Sequence, residues 1–118
     1  MKYKVTVTNI GDFALQLMQV RDSIIIFDKD VPYAYANMVV SHTKGDVRED
    51  PAIGDQVIVA DREYRIVDIG EEAIQNLRER GHVTLVFNED KKAEMPGEIV
   101  LGGDKVPRIM VGDTIEIF

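Results

Sequence analysis

The sequence predicts a mainly β domain, an antiparallel barrel or sandwich of short strands carrying one or two small helices. Three observations predict it. Apolar and polar residues alternate with period two along much of the chain, the apolar runs are short and end in Gly, Pro or Asp clusters, and only two windows have helical spacing. Closely spaced strands with short turns leave no room for the strand–helix alternation of a parallel sheet.

The first strand opens at Tyr3, where Tyr3, Val5 and Val7 alternate with Lys4, Thr6 and Thr8. Phe13 to Val20, FALQLMQV, is mostly apolar at helical spacing and reads as a short helix or turn. Ser23 to Phe27, SIIIF, is an almost unbroken β-branched run closed by Asp28-Lys29-Asp30, as expected of a strand buried on both faces. Met38 to His42, Gln56 to Ala60 and Tyr64 to Ile69 follow as strands. From Glu71 to Arg80, Ala73, Ile74 and Leu77 lie three and four apart, with acids at the start, bases at the end and Gly81 as a stop, which predicts a helix. His82 to Phe87, Glu98 to Leu101 and Thr114 to Phe118 complete about eight strands.

The chain has 118 residues, which fits one domain over 1–118 with a core of useful size. Fourteen Lys and Arg against 21 Asp and Glu give a net charge of -7, which repels a phosphate backbone and argues against nucleic acid as a partner. The absence of cysteine excludes disulfides, thiolate metal sites and cysteine nucleophiles, and fits a reducing, cytoplasmic setting. MKYKVTVTNIG lacks the unbroken apolar segment of a signal peptide or membrane span, so direct membrane insertion is not expected.

Few residues offer chemistry. Ser41 and His42 are strand neighbours pointing to opposite faces, which disfavours a serine hydrolase pair. Asp46, Glu49 and Asp50 follow no calcium-loop spacing, and no metal or cofactor is expected; the scattered glycines make no nucleotide cradle. His82, directly after the helix stop and at the first position of a strand, reads as a structural histidine whose ring satisfies a backbone group. His42 ends a strand in which Met38 and Val40 share its face, with Thr43, Lys44 and Gly45 following. Spacing alone favours a core histidine there too. The functional alternative is a phosphoryl acceptor: a neutral imidazole near pH 7, reachable by a protein donor, with N–H, hydroxyl and cationic groups about the transferring oxygens. Thr43, Lys44, Gly45 and Arg48 carry such groups, with Gly45 allowing a turn that aims successive N–H groups at an anion.

The segment from Asn76 to the end resembles the glucitol/sorbitol-specific IIA component of the bacterial sugar phosphotransferase system. The likeness is most specific in Asn76-Leu77-Arg78-Glu79 running into Gly81-His82-Val83-Thr84-Leu85, and in Ala93-Glu94-Met95-Pro96-Gly97. Before Asn76 the order of elements matches at weaker identity, including a histidine, a glycine three residues later and Ile53-Gly54. The resemblance implies a closed, antiparallel-rich β-barrel and a single IIA phosphocarrier domain, a phosphohistidine relay and not a complete enzyme alone. It implies that phosphate comes from the histidine-containing phosphocarrier protein onto His42 and passes to a cysteine of the IIB domain of the membrane sugar permease. On this reading His42 is a surface acceptor, Thr43, Lys44 and Gly45 stabilise the phosphoryl group, and His82 and Arg48 support it. A second histidine often stands two residues beyond the first in this family; here that place is Lys44, which stabilises by charge but cannot relay a proton near pH 7. The alternative is a non-catalytic regulatory or partner-binding barrel of the same fold.

Overall fold

The computed structural model describes residues 1–103 and 105–118. Among them are strands β1 (Tyr3–Ile10), β2 (Ser23–Asp28), β3 (Val39–His42), β4 (Gln56–Val59), β5 (Arg62–Ile69), β6 (Val83–Val86), β7 (Glu98–Gly103) and β8 (Thr114–Ile117). Helix α1 spans Ala14–Arg21, α2 spans Ala73–Arg80, and a 3₁₀ helix spans Tyr33–Met38. Every strand expected from alternation is present, as are both helical windows. The 3₁₀ helix is new. It follows Pro32, and it removes Met38 from the strand that His42 ends: Met38 is exposed and does not share a strand face with the histidine.

The strands close into a barrel in the order β1-β3-β2-β6-β7-β5-β4-β8. Most neighbours are antiparallel, but β2 with β3 and β6 with β7 run parallel, so the barrel is mixed. Closure satisfies the backbone groups that a sheet edge would leave bare. Alternation explains which residues fill the interior: Tyr3, Val5 and Val7 of β1 are buried while Lys4 is exposed, and Val57 and Val59 of β4 repeat the pattern. In β2, Ile24 and Ile26 are buried and alternate with the half-buried Ser23 and Ile25, so the expected two-sided burial begins only at Phe27 and Asp28.

Helix α2 docks through Ala73 and Leu77, one turn apart on one face. It ends at Gly81, whose φ of 58° is left-handed and whose N–H donates to the carbonyl of Leu77 at 3.0 Å. The next residues enter β6, whose Val83 lies opposite Ile26 of β2. The helix stop is thereby carried to the barrel wall where β2 and β3 meet.

Candidate functional site

All four residues of β3 are buried, and His42, at 0% exposed, is fully enclosed. The expectation of a surface histidine is corrected here: neither ring nitrogen turns to solvent. The strand register explains why. His42 sits opposite Val7 of β1 on one side and Asp28 of β2 on the other, so its side chain projects with Val40 into the barrel. A polar side chain buried this deeply needs partners, and two backbone carbonyls supply them. Nδ1 lies 2.7 Å from the carbonyl oxygen of Thr43, and Nε2 lies 2.9 Å from that of Gly81.

Both partners are acceptors, which constrains the chemistry. Only a doubly protonated ring can donate to both carbonyls at once; a neutral ring donates to one and turns a lone pair toward the other. A neutral, nucleophilic imidazole therefore has to release one of these contacts.

Gly81 is fitted to this ring. A Cβ on Gly81 would lie 2.4 Å from Cε1 and 2.9 Å from Nε2 of His42, inside any tolerable contact, so only glycine lets the turn close over the imidazole. The same position lies 3.3 Å from the hydroxyl of Tyr3, whose ring stands edge-on to His42 with centroids 6.4 Å apart. Neither Gly81 nor Tyr3 was foreseen as part of the site. Gly81 is visible in sequence only as a helix stop, and Tyr3 only as the first inward residue of a strand.

The residues after His42 separate. Thr43 stays with the site through its carbonyl, while its N–H donates to the Thr6 carbonyl at 2.9 Å and its hydroxyl accepts from the Thr6 N–H at 3.0 Å, pinning β3 to β1. Lys44 turns outward and pairs with Asp30 at 2.6 Å, both side chains well exposed, an arrangement that holds the lysine above and the aspartate below their ordinary pKa values. Gly45, expected to allow a turn that aims successive N–H groups at an anion, does not use glycine's left-handed freedom. Its missing side chain instead permits close packing, since a Cβ there would lie 2.6 Å from Val5 Cγ1 and 3.2 Å from the Tyr3 ring. Arg48 is not brought to the imidazole; it lines a cavity of about 380 Å³ with Met1, Tyr3, Lys4 and Asp46. The acids of this loop diverge, Glu49 toward Lys2 at 3.3 Å and Asp50 toward the Arg78 guanidinium.

His82 follows Gly81 but serves differently. Its ring stacks on Phe27 with centroids 4.5 Å apart and planes 26° apart, beside an apolar recess lined by Ile25, Tyr35, Met38 and Val39. The contact found for this ring is an aromatic stack and not the hydrogen bond to a backbone group expected of it. Burial, with the Arg80 charge adding to it, pushes its pKa below the ordinary histidine value.

Among the described residues no helix is long and apolar enough to cross a membrane. The family model described as "PTS system glucitol/sorbitol-specific IIA component" matches residues 2–116. The chain is similar to the glucitol/sorbitol-specific EIIA component of the PTS system in Escherichia coli (strain K12), 29% identical over 114 residues that cover 97% of this chain and 92% of the relative. The protein of the same description in Shigella flexneri matches with the same identity and coverage. In three dimensions it is similar to the crystal structure of the PTS system IIA component from Enterococcus faecalis V583, with a TM-score of 0.83, 26% identity and coverage of 97% of this chain and 98% of the other. The barrel order, the match along nearly the whole chain and the shared architecture lead to one conclusion: this chain belongs to the glucitol/sorbitol-specific IIA component family of the sugar phosphotransferase system.

Proposed function

We propose that His42 accepts a phosphoryl group from the phosphorylated histidine-containing phosphocarrier protein and passes it to a cysteine of the IIB domain of the membrane sugar permease, in uptake of a sugar alcohol such as glucitol/sorbitol. The relay operates in the cytoplasm. The observation that carries the reading is the imidazole itself, fixed at a strand end by backbone carbonyls on both nitrogens in a chain that has no cysteine to act instead.

The two contacts give the nitrogens different work. The Nδ1 contact joins consecutive residues and moves with the ring, so the proton stays there and fixes the tautomer. The Nε2 contact reaches the turn that ends α2, and its release frees the lone pair that attacks phosphorus. As the N–P bond to Nε2 forms, the bond to the donor's imidazole breaks and its electron pair returns to the donor ring nitrogen. Lys44, in place of a second histidine, contributes charge from the rim, with Thr43 and Gly45 shaping the strand end around it and His82 in a supporting position beyond the Gly81 turn.

A non-catalytic, partner-binding barrel of the same fold is the second reading, and one observation favours it: His42 is enclosed in this structure, so acceptance requires the Gly81 turn to move. One experiment separates the two. Incubation with the phosphorylated carrier protein should place an acid-labile, alkali-stable phosphate on His42, mapped by mass spectrometry under neutral conditions. Label on another residue, or none, would remove the relay.

A further inference from the structure

We infer that Tyr3 is a catalytic residue of the relay, its hydroxyl donating a hydrogen bond to the phosphoryl group carried by His42. The inference rests on the proposed role of His42 and extends it to a residue that no comparison assigns.

Tyr3 is 2% exposed, and among the described residues its hydroxyl is the buried side-chain polar atom without a hydrogen bond. Native interiors rarely leave a donor this way, because it has given up water and gained nothing in return. Tyr64 is equally buried, and its hydroxyl donates to the Lys105 carbonyl at 2.6 Å. A barrel that satisfies one interior phenol and leaves the other idle has the idle one available for something absent from the resting state.

Its position says what. The side-chain position that Gly81 leaves vacant is 3.3 Å from the Tyr3 hydroxyl and 2.9 Å from Nε2 of His42. That point is only 2.4 Å from Cε1 and holds no atom, but it bounds the gap. The phenol oxygen lies no more than about 6 Å from Nε2, a span of the order that a phosphoryl oxygen two bonds from Nε2 plus one hydrogen bond covers once the Gly81 turn withdraws. The ring is held for the purpose: Gly45 packs on its Cε1 edge and His42 meets it edge-on. Burial and the Asp28 carboxylate push the phenol's pKa above its ordinary value, so at pH 7 it is a neutral donor. During transfer it keeps its proton. Charge that develops on the phosphoryl oxygens meets a preorganised O–H held beside a buried imidazole.

The test pairs two variants that each remove one hydroxyl. In Tyr3→Phe the parental melting temperature should be kept or exceeded, since no bond is lost, while phosphate transfer from the carrier protein to His42 slows about 10- to 100-fold. In Tyr64→Phe the melting temperature should fall and the transfer rate stay parental. A Tyr3→Phe protein labelled at the parental rate would overturn the inference and leave the His42 relay standing. So would one that slows only in step with a loss of stability like that of Tyr64→Phe. A parent that takes no label on His42 would remove the relay and this inference together.

Discussion

His42 and His82 meet at one turn, the first bonded to the Gly81 carbonyl and the second next to Gly81 in sequence, yet the fold holds them by opposite means. His42 is enclosed and fixed by two directional contacts to backbone carbonyls; His82 is partly open and held by the face of Phe27. A hydrogen-bonded ring depends on its protonation state for its stability, whereas a stacked ring is indifferent to which nitrogen carries the proton. Backbone contacts that compete with one another suit a group whose state must change. An aromatic stack suits a group that should stay still.

The comparison can be broken most sharply at His42. His42→Ala should abolish phosphate acceptance completely, read by label transfer, and the lost packing and the orphaned carbonyls should cost about 2–4 kcal/mol in chemical denaturation. A variant that still takes label would end the distinction. Gly81→Ala comes next. The added methyl meets the His42 ring at 2.4 Å in a backbone conformation with φ 58°, and about 2–4 kcal/mol of stability should go, with transfer slowed at least tenfold as the ring is displaced. Unchanged melting would mean that the turn is not seated on the imidazole.

His82→Ala should cost about 1–2 kcal/mol through loss of the stack and reduce transfer less than either change above. A pH series sharpens this. His82 has its pKa lowered by burial and by Arg80, so the unfolded state binds the proton more readily than the folded one. The stability this neutral ring contributes is therefore present above about pH 6.5 and is lost as pH falls through its lower folded value. The parent's melting temperature should drop more between pH 7 and pH 5.5 than that of His82→Phe; equal drops would assign the dependence elsewhere. The smallest effect belongs to Lys44. Because its ammonium is already paired with Asp30 at the rim, Lys44→Ala should slow transfer only about twofold to fivefold and flatten its salt dependence, and Lys44→Glu should be slower still. Equal rates in all three proteins would take Lys44 out of the relay.

The strands and helices were legible because each is a local pattern. Val5 and Val7 announce a strand whatever it pairs with, and Ala73 and Leu77 announce a helix face. Pairing across distance is not written in any window. Nothing in SIIIF states that β2 runs parallel to β3 or that Asp28 comes opposite His42. The site suffered from the same limit. His42 could be picked out by its residue type and its resemblance, but its burial depends on β1, β2 and the Gly81 turn converging from three parts of the chain. Tyr3 looked like ordinary core because an unsatisfied hydroxyl is a property of surroundings, not of sequence.

The place of β8 has a consequence for how the molecule comes to exist. It fills the gap between β1 and β4, pairing Ile117 with both Tyr3 and Val57. Until residues 114–117 emerge from the ribosome, two strand edges have no neighbour, and the wall that carries Tyr3 is paired on one side only. Nascent chains therefore pass through a form prone to cross-pairing with one another, and fast folding cannot rescue it because the closing contacts join opposite ends of the sequence. Chaperone capture should be strongest just before this last strand appears.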